Sequence, residues 1–212
     1  MKHSDERIRV THVGSLPRPQ ELLDLLLARE EGREYDAQRL DELQAKAVSE
    51  IVRRQLKTGI DVVNDGELGK TSFLSYVNIR LGGLEPRAPT GASFWARSRE
   101  AQAFPEYYAW AARANPSGAA TAMRLAATGP VSYTGHEVLA TDIRHLQAAT
   151  LEHGADEAFM SAISPTNVED WQSNEYYDSD EEFLFAIADA MHEEYEAIID
   201  AGLLLQVDDL DY

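Results

Sequence analysis

The chain contains no cysteine, which removes disulfide bridges, thiolate metal sites and a cysteine nucleophile from what its 212 residues can build. It also lacks any apolar run near the roughly 20 residues that a membrane-spanning helix needs. Its first residues, Met1-Lys2-His3-Ser4-Asp5-Glu6-Arg7, hold no apolar signal-peptide core, so a cytoplasmic protein is expected. Positive charge is scarce: 19 Lys and Arg stand against 37 Asp and Glu, for a formal net charge of -18. A phosphate backbone or an anionic membrane would be repelled over most of such a surface, which argues against nucleic acid and membrane as partners. The length favours one domain with a substantial core.

What the chain does have is a repeating local pattern. Residues 8–13 read as a short strand stopped by Gly14, Pro17 and Pro19, and Pro19 suits the first turn of a helix carrying Leu22, Leu23, Leu26 and Leu27. Apolar residues at three- and four-residue spacing, from Leu40 through Val48 and Val52 to Leu56, predict a second helix from Asp36 to a cap at Gly59. A strand over 60–64 then runs into Asp65-Gly66-Glu67. Further strands are expected over 122–127, 158–163 and 203–207, the last covered on both faces. Helices are expected from His136 to Gly154 and from the Ser179/Glu182 capping box to Gly202. Residues 81–118 are rich in Gly, Pro and aromatics such as Phe94, Trp95 and Trp110. They read as an insertion, either a lid or an aromatic hairpin packed on the barrel, with a helix around 105–113.

Three times a helix ends on a glycine (Gly59, Gly154, Gly202) and a short apolar strand follows at once, the mark of repeating α/β units with a parallel sheet. The expected fold is therefore α/β: a partial TIM (β/α)8-type barrel, with about five parallel strands and four helical connections. A whole barrel takes about 250 residues, so residues 1–212 read as a single domain forming the N-terminal part of one. Polar residues collect just after the strands, at the end where α/β sheets bind ligands.

Two motifs there fail on detail. Gly69-Lys70-Thr71 resembles a phosphate loop, but Asn64 replaces its first glycine, and Asp65 and Glu67 would repel phosphate. His192-Glu193 begins like a metalloprotease helix, but Glu196 stands where the second histidine belongs. His136, His145, His153 and His192 read as surface or cap residues. Asp65, Glu67 and Asp208 carry more. Each alone could simply cap the next turn; three carboxylates at one end of a parallel sheet can converge to hold a cationic group such as an amino-acid ammonium.

Taken in order, Thr11-His12-Val13-Gly14-Ser15-Leu16-Pro17-Arg18-Pro19, the segment from Gly59 to Glu67, Thr128-Gly129-Pro130-Val131, Ser164-Pro165 and Ala201-Gly202 through Asp209 resemble the cobalamin-independent methionine synthase superfamily. The likeness is to short bacterial proteins similar to that enzyme's catalytic barrel, and to the N-terminal part of that barrel. It implies a zinc-bound thiolate, such as that of homocysteine, attacking the methyl group of 5-methyltetrahydrofolate; zinc lowers the thiol pKa. It implies that Val13, Gly14 and Ser15 meet the substrate carboxylate and that Glu67 and Asp208 hold its ammonium. His12 replaces the usual threonine, which puts the substrate in question, since related members transfer other thiols such as coenzyme M. The family's zinc ligands, a His-x-Cys pair and further acidic or Cys residues, have no counterpart here. No metal ligand and no catalytic residue are assigned, and a catalytically incomplete methyltransferase is expected. A complementary C-terminal half or a homo-oligomer is expected to cover the open sheet edge. The competing readings are a non-catalytic binding or assembly module with a half-barrel fold, and a related thiol transferase of the epoxide:coenzyme M type.

Overall fold

The computed structural model describes residues 3–87, 99–114 and 124–210. Phe94, Trp95 and the first two residues of the strand expected over 122–127 lie outside that set. Parallel neighbours run in one arc: Thr11 bridges Val62, Val63 bridges Ala158, and β3 (Phe159–Ile163) pairs with β5 (Leu204–Asp208) from Phe159 opposite Leu204 to Ile163 opposite Asp208. The arc and the helices around it are the α/β architecture expected from the sequence.

Local chemistry alters the detail. Residues 8–13 and 60–64 contribute isolated bridges rather than full strands. Side chains take ladder positions there: Val10 N–H donates to Asp61 Oδ2 at 2.9 Å, and Thr11 Oγ1 donates to the Val62 carbonyl at 2.7 Å. The strand expected over 122–127 is β2 (Leu125–Tyr133), and it does not join the arc. It pairs antiparallel with β1 (Leu81–Pro86) and, over two residues, parallel with β4 (Ser173–Asn174) in a separate three-stranded sheet. Thr128-Gly129-Pro130 does not end it, because the register shifts between Gly82 and Leu84 and the extra residues bulge over Gly83. A Cβ on Gly83 would lie 2.3 Å from the Pro130 carbonyl oxygen, so only glycine admits this crossing. The expectation that the last strand is covered on both faces also fails. Val207 is 46% exposed, and β3 is the neighbour of β5 among the described residues.

The helices follow the sequence closely. α1 (Gln20–Glu30) starts after Pro19, and α2 (Ala37–Lys57) is capped by Asp36, whose side chain accepts from Arg39 N–H. α3 (Arg99–Ala103) and α4 (Pro105–Ala114) precede β2. α5 (His136–His153) ends at left-handed Gly154. α6 (Pro165–Trp171) is a short helix that the sequence reading did not contain, capped by the Ser164 hydroxyl with Pro165 in its first turn. α7 (Asp180–Asp200) begins at Ser179, which accepts from Glu182 N–H at 3.2 Å. α2 packs on α5, and α7 packs on β2 and α6. No helix among the described residues is long and apolar enough to cross a membrane.

The two sheets are tied by a charge inside the core. Arg80 is 1% exposed and pairs with Asp142 of α5 and, at 2.8 Å, with Glu194 of α7. Glu194 also accepts from the hydroxyls of Tyr133 in β2, at 2.8 Å, and Tyr76, at 3.2 Å. Burial pulls the guanidinium pKa down, but Glu194 and Asp142 outweigh it and raise it above the ordinary value. Removing one partner strands the others in a dry site, which costs about 3–5 kcal/mol. Arg80→Met is therefore expected to lose about that much in urea unfolding, with part recovered when Asp142→Asn and Glu194→Gln are added. A loss under about 1 kcal/mol in Arg80→Met would contradict this arrangement.

Candidate functional site at the ends of the parallel segments

The site begins where residues 62–63 leave the arc. The Gln55 side chain of α2 clamps the backbone of Asn64 both ways, donating to its carbonyl at 2.7 Å and accepting from its N–H at 3.1 Å. Asn64 Oδ1 then accepts from Gly66 N–H at 2.7 Å, and Asp65 Oδ1 from Glu67 N–H at 3.0 Å. These are successive side-chain turns of the kind Asn and Asp favour. They force Gly66 to φ 63° and Glu67 to φ 56°, and Glu67 is the one non-glycine residue in the left-handed region among the described residues. That conformation costs an L-residue roughly 1–2 kcal/mol. Two backbone locks hold it: Leu16 N–H donates to the Gly66 carbonyl at 2.9 Å, and Arg18 Nη2 to the Glu67 carbonyl at 2.7 Å.

The turn delivers the Glu67 side chain, 3% exposed, between two hydroxyls. Ser15 Oγ donates to Oε2, and Ser161 Oγ of β3 donates to Oε1 at 3.3 Å. Asp208, at the end of β5, is half-buried. Burial pushes its pKa up, Gln206 Nε2 donating at 2.6 Å opposes that, and the charge of Glu67 raises it further. Glu67 and Asp208 thus share one electrostatic neighbourhood. Behind them Lys70 is buried, its Nζ 2.5 Å from the Ser161 carbonyl and 4.3 Å from the centre of the Tyr76 ring.

Of the residues read from the sequence, Ser15 and Glu67 are in contact here, and Asp208 lies at the end of β5 opposite Ile163 of β3, the strand that carries Ser161. Gly14 takes φ 93° in the turn that presents Ser15, while the side chain of Val13 faces solvent at 56% exposure. His12 folds back, its Nε2 2.9 Å from the Gly14 carbonyl. Asp65 is spent on its own turn and buried, and burial raises its pKa. The surface reading of the histidines holds for His136 and His192, which pair with Glu193 and Glu196. It fails for His145, which is 5% exposed and lies 3.0 Å from Asp41, because α5 turns that side toward α2. Arg18, Ser161 and Lys70 were not foreseen as parts of the site. Ser161, a hydroxyl inside an otherwise apolar strand, is the one signal that could have been read. Among the described residues no three His, Asp or Glu side chains converge to ligate a metal, and there is no cysteine. The described donors therefore do not fit a thiolate-binding zinc.

A parallel arc with helices around it and carboxylates at its strand ends is part of a (β/α)8-type barrel. Nearly the whole chain is similar to one half of the B12-independent methionine synthases, which share this fold. Methionine synthase of Sulfolobus acidocaldarius is 24% identical over 200 residues, 94% of this chain and 50% of that protein. The enzyme of Thermococcus kodakarensis is 25% identical over 93% of this chain and 50% of its own length. The solved B12-independent methionine synthase of Shewanella sp. W3-18-1, in complex with selenomethionine, superposes on 94% of this chain with a TM-score of 0.65 at 20% identity. A putative vitamin-B12-independent methionine synthase from Listeria monocytogenes gives 0.59 at 23% identity. The chain spans about half the length of these relatives. No family model matches it.

The left-handed Glu67 makes a stability prediction. Glu67→Ala and Glu67→Gly both delete the carboxylate, but only glycine adopts φ 56° without strain. Glu67→Gly is expected to be about 1 kcal/mol more stable than Glu67→Ala in urea unfolding; equal stability would contradict the turn.

Proposed function

We propose that this chain is methionine synthase-like, and that the site at Glu67 binds the amino-acid end of a homocysteine- or methionine-type substrate. The observation that carries the proposal is the strained Glu67 turn, which buries a carboxylate against the hydroxyls of Ser15 and Ser161 where a substrate ammonium would neutralise it. The bound selenomethionine of the Shewanella relative supports a ligand of this type. Ser15 and the Val13-Gly14 backbone would meet the substrate carboxylate; Glu67 and Asp208 would hold its ammonium. The methyl donor by this reading is 5-methyltetrahydrofolate. Zinc, when bound in such enzymes, activates the sulfur; the donors here do not fit it, so the part assigned to this chain is holding and orienting the amino acid.

Calorimetric titration with methionine tests this reading, with Glu67→Gln expected to lose about ten- to a hundredfold in affinity. Unchanged affinity in that variant would sink it. The pH dependence has a definite sign. Asp208 must be ionised to attract an ammonium, and its pKa is raised, chiefly by burial. Affinity should be full above that raised pKa and fall as pH drops through it, starting at higher pH than for an ordinary aspartate near 3.9. In Asp208→Asn that part of the pH profile should vanish, and a profile identical to wild type would contradict the assignment.

A further inference from the structure

The acidic half of the site has a cationic neighbour. Arg18 sits between Pro17 and Pro19 just before α1, and its guanidinium is drawn inward. Nη2 donates to the Glu67 carbonyl at 2.7 Å and lies 3.5 Å from Ser15 Oγ. Nε is buried and has no hydrogen-bond partner. Among the described residues no carboxylate forms an ion pair with Arg18, nor with Arg29, which donates to the Gly69 carbonyl at 3.0 Å, whereas Arg7, Arg9, Arg39 and Arg80 each have at least one. A guanidinium offers five N–H donors in a planar fork that matches a carboxylate. Here Nη2 is committed to the Glu67 backbone carbonyl.

The Ser15 hydroxyl stands between the two charges. On one side it donates to the buried Glu67 carboxylate, and on the other it lies against the Arg18 guanidinium. The Ser15 hydroxyl thus touches one positive and one negative group, the complements of the carboxylate and ammonium that an α-amino acid carries together. We infer that Arg18 is a specificity-determining residue that binds the carboxylate of the ligand, so that the site selects zwitterionic α-amino acids over simple amines. Burial also depresses the pKa of the guanidinium, the sense expected of a cation short of anionic contacts, although Glu67 and Asp65 oppose it.

This inference rests on the amino-acid reading of the Glu67 site, and the two can fail separately. The test is calorimetric titration of the full chain with methionine, with methionine methyl ester and with 3-(methylthio)propylamine, which keeps the ammonium and lacks the carboxylate. Wild type is expected to bind methionine about ten- to a hundredfold more tightly than the ester or the amine. Arg18→Gln should lose that preference, the ratio of methionine affinity to amine affinity falling to about one, whatever loss both ligands share from the loosened Glu67 turn. Arg18→Lys, which keeps the charge without the fork, should recover part of it. If Arg18→Gln weakens methionine and the amine equally, Arg18 is only a clamp on the Glu67 carbonyl and the inference is overturned while the amino-acid pocket stands. If wild type shows no preference for methionine over the amine, the inference is likewise overturned. If Glu67→Gln leaves all three ligands unaffected, or wild type binds none of them, the amino-acid reading fails and takes the role of Arg18 with it.

Discussion

The site depends on one backbone constraint, the consecutive left-handed residues Gly66 and Glu67. A chain leaving a parallel arc would normally carry its side chains onward into solvent. Here the Asn64 and Asp65 side chains bind the N–H groups two residues on, and the backbone folds back before the carboxylate is reached. A Cβ on Gly66 would come within 3.0 Å of Leu16 Cδ1, so the turn is pressed against the segment that carries Ser15 and Arg18. Strain of about 1–2 kcal/mol persists only where the surroundings over-determine it. Gln55, Leu16 and Arg18 supply that over-determination from three parts of the chain.

Behind the turn the protein holds a second set of charges that never reaches solvent. Lys70 lies on the carbonyl of Ser161, the residue whose hydroxyl touches Glu67, and on the ring of Tyr76. Tyr76 in turn reaches Glu194, which meets Arg80. The Glu67 carboxylate and the Arg80 pairing are thus joined by one continuous polar network through the core. Buried networks of this kind fix a unique arrangement when satisfied and are costly when broken. Glu194 shows the balance: burial alone would raise its pKa, but Arg80 and Lys70 overcome that and hold it below the ordinary value.

Much of this was legible in the residues. Helix limits followed from Asp36, Ser179 and the glycines at 59, 154 and 202, because capping is local chemistry. Glu67 and Asp208 were legible as strand-end acids. The route of β2 was not, since its bulge depends on a distant partner, Gly83, meeting Pro130. Residues 8–13 look like a strand by composition, yet Asp61, far along the chain, takes the hydrogen bond of Val10. Arg18 and Lys70 escaped notice for the same reason: a charged residue in sequence looks solvated, and only the fold shows which ones are turned inward. The surface readings of His145 and the covered reading of β5 failed by the same logic, each decided by what packs opposite.

The most direct test of the account is a crystal structure of the chain soaked with methionine. The ammonium should lie within hydrogen-bond reach, about 3 Å, of both Glu67 and Asp208, with the carboxylate against Ser15. Methionine bound elsewhere, or bound there with its thioether rather than its ammonium facing Glu67, would contradict the account.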